Sequence, residues 1–168
     1  MPEIRQERPE DADAIREILV TAFGGETEAR LVDRLRASGK IACALVAAEK
    51  GRVLGHVVFS AIAAGESNTL VIALAPLAVM PAFQRLGIGS ALASAGLERL
   101  RQDKVQRVLV LGDPGYYTRF GFVPASRFGL KCPFPAPESA FMGIELQPGA
   151  FKGVSGPVRY GHEFDDLE

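Results

Sequence analysis

The chain has 168 residues, of which 48% are hydrophobic and 23% are charged, and its net charge is -1. This composition predicts one soluble globular domain over residues 1–168 with a sizeable core, and the near-neutral charge disfavours binding to nucleic acid or to an anionic membrane. The charged N-terminus and the short apolar runs predict neither a signal peptide nor a membrane span. Because two cysteines, Cys43 and Cys132, do not make a disulfide framework, we expect reduced thiols and a cytoplasmic location.

The first quarter of the chain predicts one strand and two helices. Residues 3–6 favour a short strand. Pro9, followed by acidic residues, is typical of a helix start, and Gly24 is expected to end that helix after a run of apolar residues at helical spacing. A second amphipathic helix is predicted over residues 27–37.

From residue 41 the apolar pattern changes to that of strands. Residues 41–48 and 53–61 are rich in apolar residues and flank a Lys-Gly turn, which predicts an antiparallel hairpin. A third strand is predicted over residues 70–79. Pro76 interrupts it, and since proline cannot donate to a sheet ladder, it indicates an edge or a bulge.

A helix over residues 87–103 and a strand over residues 105–111 follow. A right-handed crossover would make this strand parallel to residues 70–79 and would place a ligand at the carboxyl end of the first strand. The predicted buried side of the helix consists of Ile88, Ala91, Leu92, Ala95 and Leu100.

The loop that precedes this helix carries the most specific pattern in the chain. Gly87 and Gly89 allow a ligand to approach the backbone closely, the first amides of a helix have no internal partner, and Arg85 adds a positive charge. These features predict a cradle, a loop that binds the pyrophosphate of a nucleotide-like cofactor. The plain alternative is a helix N-terminus that contains glycine and binds no ligand. Leu92 stands where a dinucleotide fingerprint needs its third glycine, and no P-loop triplet is present.

The sequence Gln84-x-x-Gly-x-Gly, after a Val79-x-Pro strand exit, resembles the loop of the Gcn5-related N-acetyltransferase superfamily. The resemblance implies that the backbone of this loop holds the pyrophosphate of coenzyme A. It also implies a bulged strand whose exposed backbone binds the pantetheine arm at Leu77, Ala78 and Val79. The implied cradle consists of Gln84, Arg85, Leu86, Gly87, Ile88, Gly89 and Ser90.

A second motif lies in residues 112–122, where Pro114 begins a predicted short helix and Gly121 ends it. The spacing Tyr117-x-x-x-Gly-Phe is similar to that of the same superfamily, in which this tyrosine is often the general acid. A phenol can protonate a leaving thiolate while staying protonated at neutral pH. Tyr116 has the same chemistry and only the spacing selects Tyr117; the plain alternative is a half-buried tyrosine with a structural hydrogen bond.

Together the two motifs look like the YhbS-type branch of predicted acetyltransferases. The resemblance implies an α/β (α+β) fold: a mixed, mostly antiparallel central sheet with a β-bulge and a splayed parallel strand pair, and helices on both faces. It covers residues 3–147, and residues 148–168 form a C-terminal extension. Residues 125–137 are predicted to form an apolar irregular loop, and later strands are expected at 141–146 and 158–160.

The implied reaction is direct transfer of an acetyl group from acetyl-coenzyme A to a primary amine of a small molecule or protein. The candidate general bases are Glu26, Glu28, Glu66 and His56. A covalent route through Cys132 would need a neighbouring base and a lowered thiol pKa, and the sequence indicates neither. No spacing of potential ligands predicts a metal site.

Two other functions remain open at this point. A non-catalytic acyl-coenzyme A sensor of the same fold would keep the cradle and lack turnover, and a different phosphate-bearing ligand could occupy the same loop. The expected assembly is a monomer or a homodimer.

Overall fold

The computed structural model describes residues 1–167, which fold into strands, α-helices and several short 3-10 turns. The strands are β1 Glu3–Gln6, β2 Ile41–Glu49, β3 Arg52–Ala64, β4 Thr69–Val79, β5 Arg107–Leu111, β6 Val123–Pro124, β7 Leu130–Lys131, β8 Phe141–Glu145 and β9 Gly156–Arg159. The helices are α1 Ala12–Phe23, α2 Thr27–Ala37, α3 Ile88–Gln102 and α4 Pro114–Tyr117. No helix within residues 1–167 combines the length and apolarity needed to cross a bilayer.

The chain divides into two compact units. The first unit contains residues 1–60 and 75–100, and the second contains residues 61–74 and the chain from residue 101 onward. Strands β3 and β4 therefore contribute to both units. The expectation of a single domain over residues 1–168 stays a prediction.

In the first unit, β1, β2 and β3 form an antiparallel sheet in which Arg5 pairs with Val46 and Val46 pairs with His56. Helices α1 and α2 have the predicted bounds to within a few residues. Gly24 ends α1 at a φ of 73°, in the left-handed region that glycine adopts without a Cβ penalty.

Helices lie on both faces of β3 in this unit, as predicted. On one face, the position of a Cβ at Gly55 would be 2.9 Å from the Leu92 side chain of α3, and a Cβ at Gly96 of α3 would overlap the Phe59 ring. On the other face, His56 reaches Glu7, whose carboxylate also binds Arg36 of α2. The two glycines let α3 lie directly on the strand, and each leucine buried there stabilises the fold by about 1.5–3 kcal/mol.

In the second unit, β5 is parallel to β4, with Ile72 opposite Val108 and Ala73 opposite Leu109. Strand β8 is antiparallel to β5, and β6 pairs with β8. Strand β9 pairs antiparallel with the end of β3 and parallel with β7. The structure confirms the predicted mixed, mostly antiparallel sheet, in which helix α3 connects the parallel strands β4 and β5.

The structure corrects several details. The buried side of α3 is wider than predicted, because Ala93, Gly96 and Leu97 are buried while Ala91 and Ala95 are half-buried. The apolar segment 125–137 includes β7, because its backbone pairs with β9. Strand β4 continues through Pro76, and the register shifts described in the sheet lie between β2 and β3, so the bulge at Pro76 stays a prediction.

Candidate active site

The predicted cradle lies between the end of β4 and the start of α3, entirely in the first unit. The strand exit is fixed by the amide of Met80, which donates to the carbonyl of Leu54 over 2.9 Å. A 3-10 turn follows at residues 81–83. The side-chain amide of Gln84 then donates to the Val79 carbonyl over 3.0 Å. This hydrogen bond connects the loop to the end of β4.

The backbone of the cradle leaves amide groups available for a ligand. Arg85 and Gly87 have φ angles of 64° and 88°, in the left-handed region. The first helical hydrogen bond runs from Ala91 to the Gly87 carbonyl over 3.0 Å, so the amides of Ile88 and Gly89 precede the helical ladder. Within residues 1–167, the amides of residues 85–87 donate to no protein acceptor.

Exposure agrees with this geometry. Gln84, Arg85, Leu86 and Gly87 are exposed, and Gly89 and Ser90 are half-buried, whereas the side chain of Ile88 is buried and anchors the first turn of α3. Backbone that includes left-handed residues can form an anion-binding concavity. That this loop holds a diphosphate stays a prediction.

The three residues expected to bind the pantetheine arm occupy the end of β4, directly before the cradle. Ala78 and Val79 are buried and Leu77 is half-buried. A Cβ at Gly55 would approach the Ala78 carbonyl to 3.2 Å, so glycine in β3 allows the two strands to lie close together here. Both the arm-binding role and the cradle role remain predictions.

Tyr117 lies at the end of α4 in the second unit. Asp113 caps this helix by accepting a hydrogen bond from the Gly115 amide over 2.8 Å. The Tyr117 ring packs edge-on against Phe122, with 5.8 Å between ring centroids. Burial, with a smaller contribution from Tyr116, raises the pKa of the Tyr117 phenol to about 12. Its hydroxyl makes no side-chain hydrogen bond within the described residues, so its proton can be donated to a ligand.

The structure gives the two adjacent tyrosines different surroundings, whereas the sequence distinguished them only by spacing. The guanidinium of Arg119 lies 4.3 Å from the centroid of the Tyr116 ring, and Arg119 Nε donates to the Tyr116 carbonyl over 2.9 Å. Tyr116 therefore serves as a platform for an arginine. In the part of the chain that the structure describes, Tyr117 contacts no guanidinium in this way, and it remains the candidate acid.

The candidate bases differ in their exposure to solvent and in their ion-pair partners. Glu26 is exposed at the N-cap of α2 and pairs with Arg16 over 2.5 Å and with Arg30 over 3.0 Å. Glu28 lies in the first turn of α2, and Glu66 lies in an exposed turn. None of the three is singled out by the described geometry as a base.

His56 is fully buried, and its Nε2 lies 2.7 Å from Glu7 Oε1. The other oxygen of Glu7 binds Arg36 over 2.6 Å. Burial by itself raises the pKa of Glu7, but the hydrogen bonds from His56 and Arg36 outweigh it, so the pKa lies below its usual value. A histidine closed off from solvent in this way acts as part of the core. Sequence analysis missed Glu7, because no local pattern relates it to position 56.

The cysteines form no disulfide: Cys43 is buried and Cys132 is half-buried. Within residues 1–167 no cluster of three or more His, Cys, Asp or Glu side chains could hold a metal ion.

Comparison with known proteins identifies the class to which this fold and candidate site belong. The sequence profile of the acetyltransferase (GNAT) family matches residues 12–122, and the chain belongs to that family. The chain is 37% identical to the uncharacterized N-acetyltransferase YhbS of Escherichia coli K12 over 163 residues, which cover 96% of this chain and 98% of YhbS. It is 43% identical over 133 residues to the uncharacterized N-acetyltransferase YjhQ of the same strain, covering 76% of this chain and 74% of YjhQ. The predicted superfamily and YhbS-type branch are confirmed.

Two solved structures show the same fold with a coenzyme bound. The crystal structure of Escherichia coli YhbS in complex with CoA matches with a TM-score of 0.93 and 36% identity, over 99% of this chain and 93% of that chain. A GNAT family acetyltransferase from Brucella melitensis in complex with acetyl-CoA matches with a TM-score of 0.81 and 35% identity, over 98% and 99% of the two chains.

Proposed function

We propose that the protein transfers an acetyl group from acetyl-CoA directly to a primary amine of a small molecule or protein. The observation that carries the proposal is the loop at residues 85–89, whose backbone amides lack acceptors among residues 1–167. The chain is about one-third identical to two coenzyme-bound relatives. We further propose a cytoplasmic location, in keeping with two unbridged cysteines, and a monomeric or homodimeric state.

In this proposal the cradle binds the pyrophosphate of the coenzyme. Hydrogen bonds to a charged group each stabilise a complex by about 1.5–3 kcal/mol, and the dipole of α3 adds about 0.3–1 kcal/mol. Arg85, which is exposed, supplies a charge on the same loop. The backbone of Leu77, Ala78 and Val79 would bind the pantetheine arm and orient the thioester carbonyl.

The chemical step begins when the neutral amine attacks the thioester carbonyl carbon. Backbone donors at the end of β4 would stabilise the resulting oxyanion. The carbon–sulfur bond then breaks, the amine nitrogen loses a proton to solvent or to a base, and Tyr117 donates a hydrogen bond to the departing thiolate. A thiol ordinarily has a pKa of about 8.5, well below the value of about 12 for Tyr117, so the phenol keeps its proton and stabilises the departing thiolate by a hydrogen bond.

Calorimetric titration with acetyl-CoA tests the first half of the proposal, because absence of binding would remove it. A panel of primary amines assayed for release of free thiol tests the second half. Thiol release that depends on an amine is expected of an acetyltransferase. A sensor of acyl-CoA would bind the coenzyme and release no thiol with any amine.

A further inference from the structure

The second unit contains a polar cavity of about 480 Å³ that the proposed function does not use. It lies between the turn that follows α3, the start of β5 and the turn that follows β8. Lys104, Arg107 and Lys152 line it, and within the described residues no carboxylate does. Sites for small molecules typically have volumes of roughly 300–1,000 Å³, so the cavity has the size and the charge of a site for a small anion.

Arg107 is half-buried, and neutral oxygen atoms hold its guanidinium in one position. Its Nε donates to the carbonyl of Ala150 over 2.5 Å, and one terminal nitrogen donates to the carbonyl of Leu70 over 3.2 Å. The other terminal nitrogen donates to Oε1 of Gln106 over 3.1 Å. Because a guanidinium has five N–H groups, one remains on each terminal nitrogen for a ligand. None of these three acceptors neutralises the charge of Arg107.

The other polar side chains of the cavity are also donors. Lys104 and Lys152 are exposed, and neither forms an ion pair within residues 1–167. Gln106 presents its oxygen to Arg107, so its amide nitrogen is left as a donor. The cavity can therefore offer an anion two ammonium groups, a guanidinium that is already oriented, and an amide.

Two negative groups near the cavity reduce its positive charge without cancelling it. Glu145 lies opposite Arg107 in the sheet, but its carboxylate accepts from the amide of Phe151 over 2.8 Å and forms no ion pair with Arg107 in the described part of the chain. The C-terminus of α3, two residues before Lys104, carries about half a negative charge. Against three full positive charges, an excess of more than one charge remains, which favours an anion with at least two charges.

We propose that this cavity binds a small oxyanion with two or more negative charges, as a phosphate ester, a diphosphate or a polycarboxylate presents. Its oxygens accept from the two spare N–H groups of Arg107, since hydrogen bonds between a guanidinium and an oxyanion are among the strong ones. The ammonium groups of Lys104 and Lys152 neutralise the remaining charge. The assignment does not depend on the proposed acetyl transfer, because neither the cradle nor Tyr117 lines the cavity.

Labelling of lysines measures occupancy at this cavity directly. N-hydroxysuccinimidyl acetate acylates exposed amines, and mass spectrometry of the peptides gives a rate for each lysine. Saturating inorganic pyrophosphate should slow acylation of Lys104 and Lys152 by roughly 5-fold or more, since a bound anion excludes the reagent. Lys131, which is exposed and does not line the cavity, is the internal control and should keep its rate. Because each rate belongs to one residue, pyrophosphate bound at the cradle does not enter this readout.

Two further anions identify the feature that the cavity recognises. Citrate carries several negative charges and no phosphorus, whereas acetate carries a single charge. Protection by pyrophosphate alone would assign the site to phosphate groups, and protection by both pyrophosphate and citrate would assign it to multivalent oxyanions in general. Acetate at the same ionic strength should not protect Lys104 or Lys152.

A charge reversal tests the contribution of the cavity wall. With Lys104 as the reporter, Lys152→Glu should raise the pyrophosphate concentration that gives half-protection by roughly 10-fold or more, since it removes one charge-assisted contact. Lys131→Glu is the matched control, because it makes the same change in net charge at an exposed position outside the cavity. It should shift the half-protection concentration by less than about 2-fold, since salt screens distant surface charges.

Three results would each overturn the assignment: equal slowing at Lys131, equal protection by acetate, or an unchanged half-protection concentration in Lys152→Glu. If Lys152→Glu does not fold, the labelling rates of the wild-type chain still decide between binding and no binding. The labelling needs no acetyl-CoA, so a failure of the acetyltransferase proposal leaves this result standing, and a failure here leaves that proposal standing.

Discussion

The ring of Tyr117 lies so close to Gly112 that a Cβ at position 112 would stand 2.5 Å from its Cε2 atom. Glycine at this position is therefore what allows the phenol to take its present place. Gly112 directly follows β5 and Tyr117 ends α4, so the missing side chain at position 112 leaves the space that the ring of the proposed acid occupies.

Replacing Gly112 by alanine should displace the Tyr117 ring. Because a shift of about 1 Å in a catalytic group can cost roughly 100-fold in rate, we expect the kcat of Gly112→Ala to fall by about 10- to 100-fold while the Kd for acetyl-CoA stays the same. Steady-state kinetics and calorimetry measure the two effects. Gly25→Ala is the control, since a Cβ there meets nothing within 4 Å; equal loss in both variants would contradict the explanation.

Removing the hydroxyl of Tyr117 should separate catalysis from binding. Tyr117→Phe keeps the ring against Phe122 but cannot donate to the thiolate, so its kcat should fall roughly 100-fold or more with unchanged affinity for acetyl-CoA. Tyr116→Phe keeps the ring beneath Arg119 and should retain nearly full kcat. A Tyr117→Phe enzyme with the activity of the parent would refute the assigned role.

The pH profile follows from the direction of the Tyr117 shift. Its pKa is raised to about 12 by burial, so the donating, protonated form predominates at every pH below that value. The rate should therefore rise with pH as the acceptor amine loses its proton, and no alkaline decline should occur up to about pH 10.5. A decline centred near pH 10, the ordinary pKa of tyrosine, would show that Tyr117 is not buried during turnover.

Much of this molecule is encoded locally. The bounds of α2, the end of α1 at Gly24 and the loop before α3 follow from residues that are neighbours in sequence, and they were predictable for that reason. What the sequence does not display are pairings between distant residues. Glu7 and His56 are 49 positions apart, and nothing in either segment indicates that a buried imidazole needs that carboxylate.

The Glu7 carboxylate should contribute to stability in a pH-dependent way. Glu7→Ala leaves the buried His56 Nε2 without its partner and removes the nearer of the two carboxylates that Arg36 contacts, so we expect a loss of about 2–3 kcal/mol in the free energy of unfolding at pH 7. The pKa of Glu7 is lowered in the folded state; its contribution is therefore present above the unfolded pKa and is lost as pH falls through the folded one. Urea denaturation should show the difference from wild type shrinking below about pH 4.

The control for this comparison is Glu17→Ala, which removes an exposed carboxylate from α1. It should change the free energy of unfolding by less than about 0.5 kcal/mol at either pH. If Glu7→Ala and Glu17→Ala behave alike, the contact between Glu7 and His56 does not stabilise the fold.

The cradle can be tested with two glycines that share a backbone conformation. Gly87 and Gly149 are both exposed and have φ angles of 88° and 76°, so alanine at either position should cost a similar 1–2 kcal/mol or so of strain. Only Gly87 lies in the loop proposed to bind pyrophosphate. Gly87→Ala should therefore weaken acetyl-CoA binding by roughly 10-fold or more, as measured by calorimetry, whereas Gly149→Ala should lower the melting temperature by a similar amount and leave the Kd unchanged. Equal coenzyme affinity in the two variants would show that the amides around Gly87 do not hold the diphosphate.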